Sequence, residues 1–183
     1  MNKAILDAIT KLNAYKNLGY KWPAPIDGSI GDVLYKGTRI LKGNPDNYTY
    51  CVGITLQAYL MACDAKGKDL GTPSDVMNIR RTWFIAQNVK QPLHANGGAL
   101  DALSPAHGRA VKLGEAQPGD LVQIWRKSGS GHSVIFINTY TENGYQALKY
   151  WSAQPATNGI GYRTEYFEGV QNPIEHIHLC RPI

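Results

Sequence analysis

The chain has few cysteines, few charged residues and no long apolar run, and each shortage excludes a class of protein. Three cysteines among 183 residues are too few for a disulfide-stapled scaffold. No stretch of about 18 apolar residues occurs, so the sequence predicts no transmembrane helix. Charged residues make up 18% and apolar residues 43% of the chain, which is typical of a globular protein. We predict a single domain over residues 1–183 with a helical N-terminal segment over 1–47.

The charge balance gives no indication of a nucleic-acid partner. The chain has 19 Lys+Arg against 14 Asp+Glu, a formal net charge of +5, but the basic residues are scattered rather than gathered in a stripe. A mild positive charge suits an anionic polymer such as a bacterial cell wall, and a solvated basic surface is the alternative. The first twelve residues lack a signal peptide's continuous apolar core, because Asp7 and Lys11 interrupt it. The location is left open, with a secreted or cell-envelope protein favoured.

The hydrophobic periodicity changes from helical to strand-like near Pro118. Helices are predicted at 2–18, 51–65 and 72–89, with a short strand at 33–35 inside an irregular segment and a loop over 91–110. The helix at 51–65 is apolar on most sides, so we expect it to be buried. Strands are predicted at 120–125, 133–140, 145–152, 159–167 and 175–180. This order predicts an α+β fold with helices packed on an antiparallel sheet.

Two residues carry candidate chemistry. Cys51 begins the buried helix, where free N–H groups and the positive end of the helix dipole favour the thiolate. Gly53 permits another segment to approach the helix closely. His132 opens a predicted strand, so a sheet packed on the helix brings its imidazole to the thiol as a general base. The Cys51 backbone N–H is then the natural oxyanion donor.

A third polar residue is needed to orient the imidazole. The next strand runs antiparallel and ends with the residues WSAQ at 151–154, at the same rim of the sheet as His132. We favour Gln154, because an amide oxygen is a fixed acceptor with a long reach. Ser152 and Asn158 are the alternatives.

Three motifs are shared with a known group of enzymes. They are YCVGI at 50–54, PGDLV at 118–122 and GHSVIF at 131–136. Together they resemble the NlpC/P60 and CHAP amidases and endopeptidases, which are papain-like cysteine hydrolases of bacterial cell walls. The resemblance covers residues 48–154. The chain differs from the family in having Tyr50 before the cysteine and Val52 after it, and in an added helix at 72–89.

The resemblance implies a papain-like fold and hydrolysis of amide bonds in peptidoglycan peptides without a cofactor. It implies that Cys51 is the nucleophile, that His132 is the base, and that Gln154 or Ser152 orients the histidine. We expect the substrate to lie near three further residues: Tyr50, Gly53 and Trp151. A protein inhibitor is an expected partner if the chain is a secreted toxin.

Other readings of the same residues lead to different functions. An acyltransferase would use the same Cys–His pair with an amine or lipid acceptor, and a non-catalytic binding module would merely retain the fold. The alternation of His176, His178 and Cys180 along the last strand is compatible with a metal site. His94 and His107 are candidates for substrate contact or a lid. The four tryptophans, Trp22, Trp83, Trp125 and Trp151, are candidates for lining a cleft.

Overall fold

The structure is a computed structural model that describes residues 1–22, 27–44, 46, 48–84 and 98–183. Within these ranges the fold is α+β, as predicted, with helices packed against a six-stranded antiparallel sheet. The helices are α1 (Asn2–Leu12), α2 (Cys51–Ala65), α3 (Pro73–Trp83) and α4 (Gly98–Ala102). The strands are β1 (Gly19–Tyr20), β2 (Val33–Tyr35), β3 (Thr38–Leu41), β4 (Tyr48–Thr49), β5 (Gly108–Val111), β6 (Leu121–Arg126), β7 (Gly131–Glu142), β8 (Tyr145–Gln154), β9 (Gly159–Tyr166) and β10 (Ile174–Pro182).

Helix α2 is the central helix and has the bounds predicted from the sequence. It begins after Tyr50, whose extended backbone (φ −149°, ψ 167°) cannot continue a helix toward the N-terminus. It ends at Ala65, and Gly67 then takes a positive φ of 61°. The helix lies between α1 and strands β7 and β8, which explains why it is apolar on most sides. In the described ranges no helix has the length and apolarity needed to cross a membrane.

The first predicted helix is shorter than its sequence pattern indicated. Helix α1 ends at Leu12 and continues as a 3-10 turn over Asn13–Tyr15 instead of reaching residue 18. The Asn13 side chain accepts a hydrogen bond from the Trp151 indole at 2.8 Å, which holds the chain in this tighter turn. Helix α3 starts with a capping box formed by Thr72 and Asp75. Its described part ends at Trp83, and residues 85–89 lie outside the described ranges.

The sheet has the strand order β5-β10-β6-β7-β8-β9. Strands β6 to β9 form the predicted antiparallel meander, but β10 does not extend it. It returns to the other edge and pairs with both β6 and β5. Where it is described, the segment 91–110 contains the short helix α4, near the short helical turn expected at 101–103, and the start of β5, which was not predicted. The N-terminal segment 1–47 is helical only up to residue 15, and most of its remaining described length forms short strand pairs and turns.

Both faces of the sheet are buried. Side chains alternate between these faces along each strand, which decides on which face each site residue lies. Ile135 and Trp151 face α1 and α2 within the main core, whereas Val134 and Tyr150 belong to a second cluster on the opposite face. Side chains alternate along a strand. Ser133 therefore points toward the helices, and His132 points toward the face of Val134.

Asp120, the aspartate of the PGDLV motif, connects distant parts of the chain. Its fully buried carboxylate accepts hydrogen bonds from the Gln117 backbone N–H at 2.8 Å and the Asn2 amide at 2.8 Å. It also forms a two-pronged ion pair with Arg181, at 3.0 and 2.9 Å. The carboxylate therefore fixes α1, the turn before β6 and strand β10 to one another.

Candidate active site

The start of α2 is held against a neighbouring segment at residues 27–28. The Tyr50 N–H donates to the Gly28 carbonyl at 3.3 Å. One turn later, Gly53 packs directly on Asp27, so closely that a Cβ at this position would overlap the Asp27 carbonyl oxygen. The close approach expected at Gly53 is therefore present. It places the first residue of the helix, Cys51, at a fixed point on the molecule.

The first turn of α2 also docks on the end of β7. The Thr55 hydroxyl lies 2.8 Å from the Ser133 hydroxyl and 2.9 Å from the Cys51 carbonyl, to which it donates. The paired residues of β7 and β8 begin at Ile135 opposite Trp151, so the two strands separate beyond that pair. There the Ser133 carbonyl accepts from the Ser152 hydroxyl at 2.7 Å.

Where the strands separate, the Cys51 sulfur lies next to the peptide bond between His132 and Ser133. The Ser133 N–H is directed at the Cys51 sulfur, together with the N–H groups of Val52 and Cys51 itself. That Ser133 N–H belongs to the peptide bond that follows His132. The sulfur therefore lies beside the backbone of His132, although the two residues are distant in the sequence.

The His132 ring is held by Gln154 on the adjacent strand. The ring Nε2 lies 3.4 Å from the Gln154 Oε1. The Gln154 amide nitrogen donates to the Thr157 hydroxyl at 2.7 Å and to the Gly161 carbonyl at 3.3 Å, which turns the amide oxygen toward the histidine. Because that oxygen can only accept, Nε2 carries the proton and Nδ1 keeps the lone pair of a base.

Of the alternatives for the third residue, the structure brings Gln154 and not Ser152 to the imidazole. The Ser152 hydroxyl is committed to the Ser133 carbonyl. Its contribution is to the backbone at the strand end, whereas Gln154 contacts the ring itself.

The thiol does not have the low pKa expected at a helix start. Burial raises the pKa of Cys51, and the surrounding N–H groups and the Arg126 charge oppose that effect without outweighing it. The expectation that the helix N-terminus favours the thiolate was therefore incomplete, because it left out desolvation of the charged form.

The imidazole is also neutral near pH 7. Burial lowers the pKa of His132 to about 4, with a further lowering by the Arg126 charge, while Glu165 and Gln154 act in the opposite direction. Among the described residues, no hydrogen bond joins the Cys51 sulfur to the His132 ring. Near pH 7 the two side chains are thus a neutral thiol and a neutral imidazole.

The three candidate residues open on one cavity of about 530 Å³. Cys51, His132 and Gln154 line its wall. Two of the tryptophans proposed for a cleft, Trp22 and Trp125, also line it, whereas Trp83 is buried in the core. Further polar residues on the wall had not been singled out from the sequence: Tyr20, Gln123, Arg126, Ser130, Arg163 and Asn172.

Tyr20 reaches the cavity through a pairing that has no local sequence signal. Strand β1 pairs in parallel with β4, with Tyr20 opposite Thr49, immediately before α2 begins. The phenol therefore stands close to Cys51. Burial and the nearby Cys51 raise the pKa of Tyr20 to about 12, against the opposing charge of Arg126. It is a neutral hydroxyl group beside the Cys51 thiol.

The three residues expected near the substrate lie elsewhere, and this expectation is corrected. Tyr50 is only 2% exposed, with its ring 5.1 Å from that of Trp22 and 6.4 Å from that of Phe84. Trp151 is fully buried in the main core. Gly53 faces the segment at residue 27. All three position the helix and sheet that carry the site. Tyr50 and Trp151 do so through buried rings, which are stabilised by burial, and Gly53 does so through its close contact with Asp27.

The remaining candidate residues do not join this site. His107 lines a second cavity of about 510 Å³ beside α3 and α4, and His94 lies outside the described ranges. Cys180 is buried in the main core, while His176 is exposed on the same strand. Across the part of the chain that the structure describes, no group of three or more His, Cys, Asp or Glu side chains is placed to hold a metal ion.

Comparison with known proteins adds no relative: no protein-family model, curated protein or solved structure matches this chain. The three motifs resemble those of NlpC/P60 and CHAP enzymes, but the chain matches no model of those families. What the cavity can do follows from its residues and their geometry.

Proposed function

We propose that the protein is a cysteine hydrolase of papain-like architecture that cleaves amide bonds. Cys51 is the nucleophile, His132 the general base and Gln154 the residue that orients the histidine. The observation that carries the proposal is the convergence of these three side chains on one cavity wall from α2, β7 and β8. A buried histidine with an acceptor fixed on one ring nitrogen, beside a cysteine at a helix start, is the arrangement that nucleophilic acyl transfer needs.

The reaction starts from the neutral pair. As the Cys51 sulfur attacks the carbonyl carbon, its proton passes to Nδ1 of His132, and the Ser133 N–H stabilises the charge that develops on sulfur. The carbonyl oxygen becomes an oxyanion, for which the Cys51 N–H and the Tyr20 hydroxyl are the donors at hand. The imidazolium then protonates the leaving amine, and a thioester remains on Cys51.

The second half repeats the same proton movement with water. Water attacks the thioester and gives its proton to Nδ1, the carbon–sulfur bond breaks, and the proton returns to the sulfur as the acid leaves. Gln154 accepts a hydrogen bond from Nε2–H in both halves, which keeps the ring in the productive tautomer.

We infer a peptide substrate, and peptidoglycan stem peptides are the class favoured by the three motifs. The wall of the cavity combines aromatic faces with amide and hydroxyl groups, which suits a chain of peptide groups and small side chains. The resemblance of the motifs is the basis for proposing peptidoglycan peptides, and the residues of the cavity wall are the basis for proposing that a peptide binds there.

The test is hydrolysis of defined peptidoglycan fragments by the purified protein, with the products identified by mass spectrometry. We expect Cys51→Ala and His132→Ala to abolish cleavage while the proteins remain folded. Cys63→Ala is the matched control, since Cys63 is a buried cysteine of the same helix outside the cavity. Activity that survives in Cys51→Ala would refute the proposal.

The same assay separates hydrolysis from acyl transfer and from binding. Addition of an amine acceptor would divert the thioester to a new amide if the protein is an acyltransferase. Wild-type protein that binds fragments with no covalent or cleaved product would instead be a binding module, and the hydrolase proposal would then be wrong.

A further inference from the structure

The wall of the Cys51 cavity carries positive charge. Among the described residues that line it, Arg126 and Arg163 are the charged ones, and none is Asp or Glu. The carboxylate of Glu165 stands behind Arg126. It accepts from Arg126 Nε at 2.6 Å and from a terminal nitrogen of the same guanidinium at 2.7 Å, and it is mostly buried. Arg126 is therefore neutralised by a two-pronged pair.

Arg163 is not neutralised in the same way. Its Nε lies 3.8 Å from the Glu165 oxygen that already accepts from Arg126 and from the Tyr150 hydroxyl. The Arg163 side chain is 39% exposed. One carboxylate is thus shared by two guanidinium groups, which leaves one positive charge, and most of the Arg163 donors have no partner among the described residues.

Strand pairing puts Arg163 on the same face of the sheet as Gln154. Arg163 lies opposite Tyr150 in the β8–β9 ladder, and side chains alternate along a strand. Arg163 lines the wall of the cavity that Cys51 and His132 also line.

We propose that the cavity selects acyl substrates that carry a carboxylate close to the scissile amide, and that Arg163 is the residue that binds it. The planar guanidinium fork matches a carboxylate with two parallel hydrogen bonds, and no acidic side chain on the described wall competes for it. The substrate class is therefore an acidic peptide or another acid-bearing amide. This inference rests on the proposed function, since it assumes that Cys51 is the acceptor of the acyl group.

The test uses two alkylating reagents of nearly equal size that differ in charge, iodoacetate and iodoacetamide. Each forms a carbon–sulfur bond to Cys51 and releases iodide, so the readout needs no hydrolysis. The ratio of the two rates at pH 8 is compared with the ratio for N-acetylcysteine, and mass spectrometry assigns the label to Cys51. We expect the anionic reagent to be favoured about tenfold relative to the free thiol, the low end for a charge-assisted bond at a half-exposed site.

Three variants assign the effect to one side chain. Arg163→Gln should bring the ratio down to that of the free thiol, and Arg163→Lys should keep only part of the preference, because it keeps the charge but loses the two-pronged fork. Arg109→Gln is the control, since Arg109 is exposed on β5, the opposite edge of the sheet. A matched pair of peptides with Glu or Gln beside the scissile bond should show the same preference as a lower KM for the acidic peptide.

The outcomes separate this inference from the hydrolase proposal. Equal labelling ratios in wild type, Arg163→Gln and free thiol would overturn the carboxylate site while a reactive Cys51 remained. An anion preference that depends on Arg163, without cleavage of any peptide, would support the carboxylate site and count against the hydrolase. No labelling of Cys51 by either reagent would overturn both.

Discussion

Replacing Gln154 by alanine isolates the group that orients the base. The variant removes the acceptor 3.4 Å from His132 Nε2 and leaves that buried N–H without its partner. An unsatisfied buried donor costs about 1–3 kcal/mol, and the long distance places this bond at the lower end. At 1.36 kcal/mol per factor of ten, we expect kcat/KM to fall about tenfold.

The stability effect of Gln154→Ala is separate from the kinetic one. The Gln154 amide also donates to Thr157 and Gly161, at 2.7 and 3.3 Å. Loss of both bonds should lower the free energy of unfolding by about 1–2 kcal/mol, a fall in Tm of about 3–6 °C for a chain of this length. Calorimetry measures the stability, and fragment hydrolysis at a temperature well below Tm measures the activity.

Ser152→Ala is the matched control, because it removes one buried hydrogen bond of the same strand end without touching the imidazole. We expect a stability loss of about 1 kcal/mol and a change in kcat/KM of less than about threefold. Gln154→Glu adds a readout that is specific for orientation. A carboxylate facing Nε2 favours the imidazolium, so it raises the pKa of His132 and moves the acid limb of the kcat/KM profile to higher pH.

The reasoning fails if the serine and glutamine variants lose activity equally, since the loss would then come from the strand end and not from the histidine. It fails also if Gln154→Ala keeps the wild-type kcat/KM and pH profile.

Three further predictions concern the framework of the site. Burial lowers the pKa of His132 from 6.5 to about 4, so the unfolded chain binds a proton here at higher pH than the folded protein does. The free energy of unfolding should therefore fall by about 3 kcal/mol as the pH falls from 6.5 to 4. In His132→Gln, the free energy of unfolding measured in urea should depend less on pH over that range. Gly53→Ala, normally stabilising in a helix, should destabilise α2 and reduce activity because the new Cβ meets the Asp27 carbonyl, and a Tm at or above wild type would contradict this packing. Asp120→Asn should lower the free energy of unfolding by about 3 kcal/mol because it breaks a buried ion pair, whereas the exposed Asp64→Asn should change it by less than about 0.5 kcal/mol.

Local signals in the sequence predicted the elements whose causes are themselves local. Helix α2 has the bounds that its apolar run and its flanking residues indicate. The β7–β8 hairpin turns at Asn143 and Gly144, both with positive φ, as the residue pair predicts. The Thr72 capping box likewise needs only four consecutive residues to be recognised.

Residues brought together by long-range pairing could not be predicted in this way. Tyr20 reaches Cys51 through a two-residue parallel pairing between β1 and β4, which are far apart in the sequence. Arg163 lines the cavity from β9, which is two strands away from His132 in the sheet. No local periodicity specifies which edge of a sheet the last strand joins, so the return of β10 to β6 was not predicted either.

Burial was the other quantity that the sequence pattern did not supply. Tyr50 and Trp151 stand next to candidate catalytic residues in the sequence, which favoured a role in substrate contact. Their side chains are buried in the main core instead. The prediction of a low pKa for the Cys51 thiol was wrong for the same reason. The position of a residue on a helix can be read from the sequence, but the desolvation that raises its pKa cannot.

The parting of β7 and β8 beyond Ile135 gives the molecule a built-in spectroscopic reporter. With the strand pairing ended, the amide proton of Ser133 is directed at the Cys51 sulfur. Its resonance in an NMR spectrum therefore depends on whether that sulfur is a thiol, a thiolate or a thioester. A single backbone signal would report the chemical state of Cys51 during the proposed reaction without any label on the substrate.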